Sequence, residues 1–242
     1  MFQYAKGLSV LRQTPQFTNL VLDTSSYENQ ERGVIKNGLT GRTFDLEVFN
    51  IKHTTKMIPQ QGDPTLFGYF QNVSEFKNVI NEVREQFTFS IDFSEHTEKL
   101  AEEINSIENS VSIHVRRGDY ITNPTATEWH GVMDEQYFAR AMKIVEEKCS
   151  NIHYYVFSED IEWCEENIHS KYPITFVGEK HNEYKDTGNL YLTQQCNYHI
   201  MSNSSYSWWG AFLGNSKMTI GPKNWLADGT GSEIMLDEWI KI

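Results

Sequence analysis

The second half of the chain predicts an α/β fold built on a parallel, doubly wound sheet. Short runs rich in β-branched and aromatic residues alternate there with longer segments of helical periodicity, which is the pattern of successive βαβ units. Polar residues also cluster after several of the runs, at the edge where such sheets bind ligands. The expected strands lie at 111–115, 152–157, 174–177, 199–202 and 217–221. The expected helices lie at 134–148, 159–168, 187–197 and 207–213.

The helix expected at 134–148 shows the pattern most clearly. Asp134 suits its N-cap, and Phe138, Met142 and Val145 recur at the spacing of a buried helix face. The first half of the chain is less regular. It predicts an opening helix at 2–13, a strand at 20–22 and helices near 74–87 and 94–107. We therefore expect two lobes, 1–108 and 109–242, with ligand binding between them.

Composition excludes several classes of protein. The chain has 242 residues, 39% hydrophobic and 13% aromatic, which is ample for a packed core. A net charge of −12 argues against nucleic acid as a partner, because phosphate backbones require a basic footprint. Three cysteines (Cys149, Cys164 and Cys196) indicate neither a disulfide framework nor a zinc site. Since no apolar run approaches the length of a membrane span and no leader is recognised, we expect a cytoplasmic protein.

The stretch 114–121 (HVRRGDYI) is the most informative part of the sequence. It follows a predicted buried strand, so Arg116 and Arg117 are expected at the ligand-binding edge of the sheet. The planar fork of arginine suits phosphate oxygens, and two adjacent arginines suit a diphosphate. Gly118 would let the backbone approach the ligand closely. The alternative interpretation is an ordinary surface ion-pair cluster. The strand before the arginines and the Gly-Asp turn after them favour the ligand site over this alternative.

The connection from Arg116 to Met133 is long for a βα loop and shows no clear secondary structure. Long ordered loops are usually functional, and this one carries Asp119, Trp129 and His130. We expect it to fold over a ligand.

Two further polar clusters follow predicted strands. Ser158 is a good N-cap for the helix after it, and a carboxylate such as that of Asp160 could instead accept two N–H bonds from a guanine edge. At the next cluster, Asn203, Ser204 and Ser205 precede a predicted helix N-terminus, which is a ready anion site. Ser207 either caps that helix or joins the other serines in contacting phosphate or ribose, while Trp208 and Trp209 are expected in the core.

Metal chemistry is not expected. No Asp-x-Asp follows a predicted strand, and the eight histidines show no ligand spacing. Arginines would then neutralise the charge of a phosphate ligand.

These stretches together resemble the α-1,2-fucosyltransferases of glycosyltransferase family 11, which are common in bacteria. The resemblance covers essentially the whole chain and implies a GT-B fold, with two Rossmann-like lobes facing a cleft and GDP-fucose held mainly by the C-terminal lobe. The matching stretches are 68–71 (GYFQ), 114–120 (HVRRGDY), 156–164 (VFSEDIEWC), 203–211 (NSSYSWWGA) and 222–225 (PKNW).

The N-terminus departs from the family pattern. Family members usually begin with a short strand and a Gly-Gly-Leu-Gly-Asn-Gln turn before a segment that matches 1–5 (MFQYA) here. The resemblance therefore predicts an N-terminal lobe that lacks an inner strand. Such a lobe would expose strand edges and have low stability.

The resemblance also implies a reaction, the metal-independent, inverting transfer of L-fucose from GDP-β-L-fucose to the 2-hydroxyl of a galactoside. Arg116 would bind the β-phosphate, and Arg117 would assist it or brace the loop. His114 and Ser158 would lie at the nucleotide, Asp160 at guanine. Phosphate or ribose would be held by Asn203, Ser204, Ser205 and Ser207.

Asp119 is either the base that accepts the acceptor's proton or a turn residue that orients an arginine by a salt bridge. Tyr69, Gln71 and Trp129 are expected at the acceptor, a galactose-terminated glycan. A lipid-linked glycan would bring the protein to a membrane surface. Two alternatives stay open, a GDP-fucose-dependent transferase that makes another linkage and a catalytically impaired remnant that binds nucleotide.

Overall fold

The structure is a computed structural model that describes residues 1–27, 30–36, 39–52, 54–55, 64–184 and 186–242. The chain forms two compact units. The first comprises Met1–Asp92 with Glu233–Leu236, and the second comprises Phe93–Ser232 with Asp237–Ile242. The functional lobes expected from the sequence, 1–108 and 109–242, stay a prediction.

The first unit begins with the predicted helix, α1 (Phe2–Gln13), and also contains α2 (Ile80–Gln86). Its strands, within the residues that the structure describes, are β1 (Val21–Leu22), β2 (Ile35–Lys36), β3 (Leu39–Thr40) and β4 (Thr54–Thr55). Strands β1 and β4 pair in parallel, while β2 and β3 pair antiparallel. Buried Tyr4, Phe76 and Phe87 are among the residues of its core.

The helix predicted near 74–87 begins later, at Ile80. Two single 3₁₀ turns, Val73–Glu75 and Lys77–Val79, precede it. The Asn72 side chain accepts a hydrogen bond from the Ser74 backbone N–H at 2.9 Å, and this local bond favours the tight turn over an α-helix.

The second unit is an α/β structure around a six-stranded sheet whose neighbouring strands are all parallel, as the sequence predicted. Its strands are β5 (Asn109–Val115), β6 (Ile152–Ser158), β7 (Ile174–Val177), β8 (Tyr198–Met201), β9 (Met218–Gly221) and β10 (Ile240–Lys241). Its helices are α3 (Glu95–Ser106), α4 (Gly118–Thr122), α5 (Pro124–His130), α6 (Glu135–Lys148), α7 (Ile161–Asn167), α8 (Thr187–Gln195) and α9 (Ser205–Leu213). The strand order is β10-β9-β8-β5-β6-β7.

Helices cover both faces of this sheet. Val111, Ile113 and Val115 alternate along β5 and pack with the buried face of α6, where the predicted core residues Phe138, Met142 and Val145 are confirmed as buried. Asp134 is the N-cap of α6, as predicted, and accepts a hydrogen bond from the Tyr137 backbone N–H at 2.8 Å. On the opposite face, Tyr155 and Phe157 of β6 pack with residues of α3 and α8.

The segment 116–133 is more regular than the sequence predicted. It contains two short helices, α4 and α5. The Asn123 side chain accepts a hydrogen bond from the Thr125 backbone N–H at 3.1 Å, and Pro124 occupies the first helical position, where its missing N–H costs nothing. Gly131, at φ 70°, then ends α5. The prediction of a loop without helices was therefore wrong.

Buried polar pairs link β5 and β8 on the α3–α8 face of the sheet. Ser112 Oγ and His199 Nδ1 lie 2.6 Å apart, and His114 Nδ1 and Ser202 Oγ lie 3.3 Å apart. Burial lowers the pKa of both His114 and His199 to about 3. Both imidazoles are therefore neutral near pH 7.

Acid should destabilise the protein through these histidines. An imidazole in the unfolded chain has a pKa of about 6.5, whereas burial lowers the pKa of His199 to about 3 in the folded chain. Between these values the unfolded chain binds a proton that the folded chain does not. Stability is therefore full above about pH 6.5 and falls below it, by about 1.4 kcal/mol per pH unit for each such histidine.

Urea unfolding at about pH 7.5 and about pH 5 measures this effect, and the expected loss is about 2 kcal/mol for each buried histidine. The His199→Gln variant should lose about 2 kcal/mol less than the wild type between the two pH values. His169→Gln, at an exposed position after α7, is the control and should behave as the wild type. An unchanged pH dependence in His199→Gln would contradict the account.

Candidate active site

Three strand ends meet at one edge of the six-stranded sheet. β8 lies on one side of β5 and β6 on the other, so the connections that leave β5 and β8 run in opposite directions. Open α/β sheets bind ligands at such a switch point. The register pairs His114 with Met201 and Val115 with Ser158, so the polar clusters that follow the three strands lie at the same edge. The sequence predicted these clusters separately, and the sheet brings them together.

Arg116 is held by two carboxylates at this edge. Its Nη1 lies 2.9 Å from Oε1 of Glu159, and its Nη2 donates a hydrogen bond to Oδ1 of Asp119. The guanidinium carbon also lies 5.3 Å from the centre of the Tyr120 ring. Burial alone would lower the pKa of Arg116, but the Glu159 and Asp119 carboxylates more than offset it, so the pKa is raised. The side chain is thus a fully charged and oriented cation.

Arg117 and Asp160 form a second ion pair beside the first. Arg117 Nε donates to Asp160 Oδ2 at 2.8 Å, and the guanidinium carbon lies 4.2 Å from the centre of the Trp163 ring. The bond from Arg117 is the main reason that the pKa of Asp160 is lowered. The other carboxylate oxygen accepts the Trp163 backbone N–H at 3.2 Å.

Asp160, not Ser158, is therefore the N-cap of α7. Ser158 Oγ instead donates to the Val115 carbonyl at 2.9 Å and accepts the Asp160 backbone N–H at 3.0 Å. The prediction that Ser158 caps the helix was wrong, because this hydroxyl bonds β5 and the helix begins at Ile161, two residues later than predicted. Guanine recognition by Asp160 and nucleotide contact by Ser158 stay predictions.

The N-terminus of α9 carries polar groups that do not hydrogen-bond to other described residues. Ser204 is its N-cap and makes no side-chain capping hydrogen bond. Ser204 and Ser207 are buried, whereas Ser205 is exposed. Among the described residues, Ser207 Oγ and Asn203 Oδ1 have no hydrogen-bond partner although both atoms are buried. Buried polar groups are normally satisfied, so these atoms and the helix N-terminus form a candidate anion site.

Ser207 does not cap α9, since the helix begins at Ser205. Trp208 and Trp209 are buried, which confirms that they belong to the core. Their rings contact each other edge to face. His114 is also buried, and its ring centre lies 5.0 Å from that of Tyr206 in the first turn of α9.

Asn203 connects the segments that follow three strands. Its Nδ2 donates to the His130 carbonyl at 2.7 Å and to the Trp225 carbonyl at 3.2 Å, and its own carbonyl accepts the Tyr120 hydroxyl at 3.1 Å. The Tyr120 and His130 rings stack in parallel, 4.5 Å apart. The bonds fix α4 and α5 against the segment before α9. Asn203 therefore has a structural role that the sequence did not show.

The residues expected at the acceptor lie in different units. Trp129 is on α5 in the second unit, with 65% of its surface exposed. Its backbone carbonyl accepts the Ala227 N–H at 3.1 Å, so its position is fixed. Tyr69 and Gln71 belong to the first unit, and Tyr69 is 78% exposed.

Sequence reasoning missed Glu159 as a site residue. In the sequence it belongs, with Asp160 and Glu162, to an acidic first helical turn, yet its carboxylate bonds Arg116. The sequence alone carries no signal for this contact, because it depends on the register of β5 and β6, which pairs Ser158 with Val115 and so brings Glu159 and Arg116, the residues after the two strands, together.

Neither a metal cluster nor a membrane-spanning helix is found in the described part of the chain. In the described ranges, no group of three or more His, Cys, Asp or Glu side chains could hold a metal ion. Across the same residues, no helix combines the length and apolar character needed to cross a membrane.

A family model and individual relatives both identify this chain as similar to glycosyltransferases. The model of Glycosyl transferase family 11 matches residues 50–242. An O-antigen biosynthesis glycosyltransferase, WbnK, from Escherichia coli is 31% identical over 186 residues, which are 73% of this chain and 60% of that protein. An alpha-1,2-colitosyltransferase from Escherichia coli is 30% identical over an alignment of 264 residues, covering 93% of this chain and 88% of that protein.

Eukaryotic relatives match more distantly. The Homo sapiens galactoside alpha-(1,2)-fucosyltransferase 1 is 27% identical over 183 residues, which are 69% of this chain and 49% of that protein. The chain thus spans 60% of the first relative and about half of the human one.

Proposed function

The chain belongs to glycosyl transferase family 11, and we propose that it transfers L-fucose from GDP-β-L-fucose to the 2-hydroxyl of a galactoside, with inversion and without a metal. We further propose a GT-B arrangement in which the lobe from residue 109 onward holds the donor. A galactose-terminated glycan would be the acceptor. The reaction would take place in the cytoplasm, at a membrane surface where that glycan is lipid-linked.

One observation carries this proposal. The cation Arg116, at the end of β5, and the N-terminus of α9, after β8, lie at the same sheet edge, on either side of the switch point. A guanidinium offers planar N–H groups, and a helix N-terminus offers backbone N–H groups and a partial positive charge. Together they suit the diphosphate of a nucleotide sugar, whose negative charge grows as its bond to the sugar breaks.

The remaining donor contacts follow from the same edge. We assign Ser204, Ser205 and Ser207 to phosphate or ribose. Asn203 would contact the donor through its Oδ1, which has no hydrogen-bond partner among the described residues, in addition to making the connection described above. His114 would bond the nucleotide as a neutral imidazole, because burial lowers its pKa to about 3.

Three more residues would act beside these. Arg117 would brace the loop through its ion pair with Asp160. Asp160 would read guanine with lone pairs beyond those used in its two hydrogen bonds, and Ser158 would lie near it at the nucleotide.

The chemical step would be a single displacement. The acceptor's 2-oxygen attacks the anomeric carbon of fucose, the bond from that carbon to the β-phosphate oxygen breaks, and GDP leaves with the electron pair. Asp119 would accept the proton of the hydroxyl. Arg116 would stabilise the charge on the leaving diphosphate. Trp129, with Tyr69 and Gln71 of the first unit, would contact the acceptor.

Colitose is a second candidate for the transferred sugar. Colitose is the 3-deoxy analogue of L-fucose, and one relative, which aligns with 93% of this chain, is a colitosyltransferase. The same site would also allow a different linkage from GDP-fucose, or nucleotide binding without turnover.

A donor comparison tests the proposal. GDP release is measured with GDP-fucose and with GDP-colitose, each with and without lactose and with and without EDTA. We expect lactose-dependent release from GDP-fucose at the same rate in EDTA. Faster release from GDP-colitose would assign the donor to colitose, and loss of activity in EDTA would overturn the metal-free mechanism. A thermal shift with GDP but no release would support the impaired remnant.

A further inference from the structure

Glu159 contacts the arginine motif at two points. Its Oε1 lies 2.9 Å from Arg116 Nη1 and accepts the backbone N–H of Arg117 at 3.2 Å. One carboxylate oxygen thus bonds both the guanidinium and the chain that carries it. Because the second bond is to backbone, it fixes the carboxylate relative to the turn that follows β5.

Two carboxylates hold Arg116 by different nitrogens. Glu159 pairs with Nη1 and Asp119 with Nη2. Each terminal nitrogen of a guanidinium carries two hydrogens, so these ion pairs need only one hydrogen from each. Their combined effect is to set the plane and direction of the guanidinium.

Ser158, the residue before Glu159, is itself fixed by a hydrogen bond. Its hydroxyl donates to the Val115 carbonyl at 2.9 Å and so joins the ends of β5 and β6. Glu159, the next residue, is thereby held beside the turn that Arg116 begins.

Gly118 makes room for the same carboxylate. A Cβ at this position would lie 2.5 Å from Glu159 Oε1, 3.0 Å from its Cγ and 3.2 Å from its Cδ. A separation of 2.5 Å is shorter than any ordinary contact of a methyl group. A side chain on residue 118 would therefore push the Glu159 carboxylate away from Arg116.

We propose that Glu159 is a positioning residue for the transfer reaction, which directs Arg116 towards the donor phosphate, and that residue 118 is glycine so that the Glu159 carboxylate can reach Arg116. This inference rests on the proposed function. It gives Gly118 a role in packing between two strand ends, in place of the close approach of backbone to ligand that the sequence predicted.

A double-mutant cycle tests the proposal with wild type, Gly118→Ala, Glu159→Ala and the double variant. In the wild-type background, Gly118→Ala should lower kcat about ten- to a hundredfold, because small displacements of a catalytic group have effects of that size. In the Glu159→Ala background, the same change should alter kcat by less than about twofold, since the methyl group then meets no carboxylate. An equal loss in both backgrounds, or no loss in the first, would overturn the proposal.

A second pair of variants separates positioning from folding. Glu159→Gln keeps the shape of the side chain and an acceptor for the Arg117 N–H, but it loses the charge. We expect kcat to fall at least about tenfold while Tm and the KM for lactose stay near wild type. Glu165→Gln, on the exposed side of α7, changes the same charge and should leave kcat unchanged. A lower Tm with unchanged kcat in Glu159→Gln would show a merely structural role.

The same four proteins can also be compared by Tm, which requires no substrate. If the wild type transfers neither fucose nor colitose, the proposed function fails, and the inference is then tested by Tm. Gly118→Ala should lower Tm only where Glu159 is present, because alanine is otherwise the better helix former in α4. An equal fall in Tm in both backgrounds would reject the packing of Glu159 against Gly118.

Discussion

Replacing Arg116 by alanine is expected to lower kcat by about a thousandfold or more, which is the upper range for the loss of one preorganised charge donor. The structure supports this size of effect because Arg116 is mostly buried and paired with two carboxylates, so its charge is directed rather than solvated. The alanine variant would also remove the cation that both Asp119 and Glu159 bond, so the negative charge of these carboxylates would repel a diphosphate.

Arg116→Lys sharpens this prediction. Lysine keeps the charge but cannot bond two carboxylates and a phosphate through one planar group, so we expect less than about a tenth of wild-type kcat. Arg140→Ala, at an exposed position on α6, is the matched control and should retain wild-type turnover. Steady-state kinetics with GDP-fucose and lactose measure all three variants. Full turnover by Arg116→Lys would contradict the assigned role.

Asp119→Asn is expected to lower kcat by about a hundredfold to ten-thousandfold, the usual contribution of a general base, while GDP binding persists. The asparagine oxygen can still accept a hydrogen bond from Arg116, so the orientation of the guanidinium is largely kept. The variant therefore removes mainly the ability to accept a proton.

The dependence of kcat on pH distinguishes a base from a residue that only orients Arg116. The wild-type rate should fall at acidic pH as the Asp119 carboxylate becomes protonated, and this acidic limb should be absent in Asp119→Asn. GDP titration calorimetry is the control, and its Kd should stay near wild type. A variant that is slower but keeps the acidic limb would assign Asp119 to orientation alone, and unchanged turnover would remove it from the mechanism.

Strands β5 to β9 of the second unit could be predicted because each is a short run with β-branched or aromatic residues between turns or helices. The edge strand β10 could not, since it consists of two residues, Ile240 and Lys241, which carry no periodic pattern. Its pairing with β9 depends on tertiary structure. The short helices α4 and α5 were missed for another reason. Asn123-Pro124 and Gly131 are ordinary helix start and stop signals, but in a long connection the same residues are equally typical of loop turns.

The residue types at the candidate site could also be predicted, because arginines, serines and carboxylates after parallel strands suit a phosphate ligand. Their partners could not. The sequence places Glu159 and Asp160 side by side, and only the register of β5 and β6 decides that Glu159 bonds Arg116 while Asp160 bonds Arg117. The bonds of Asn203 to His130 and Trp225 likewise join residues far apart in sequence.

The central claim is that this site transfers L-fucose to a galactoside 2-hydroxyl, and the structure of the product tests it most directly. Purified protein is incubated with GDP-fucose and lactose, and the product is isolated for mass and linkage determination by NMR. The account predicts a trisaccharide with a single fucose α-linked to the 2-oxygen of galactose. A β-linkage, attachment at another hydroxyl, or free fucose as the sole product would contradict it.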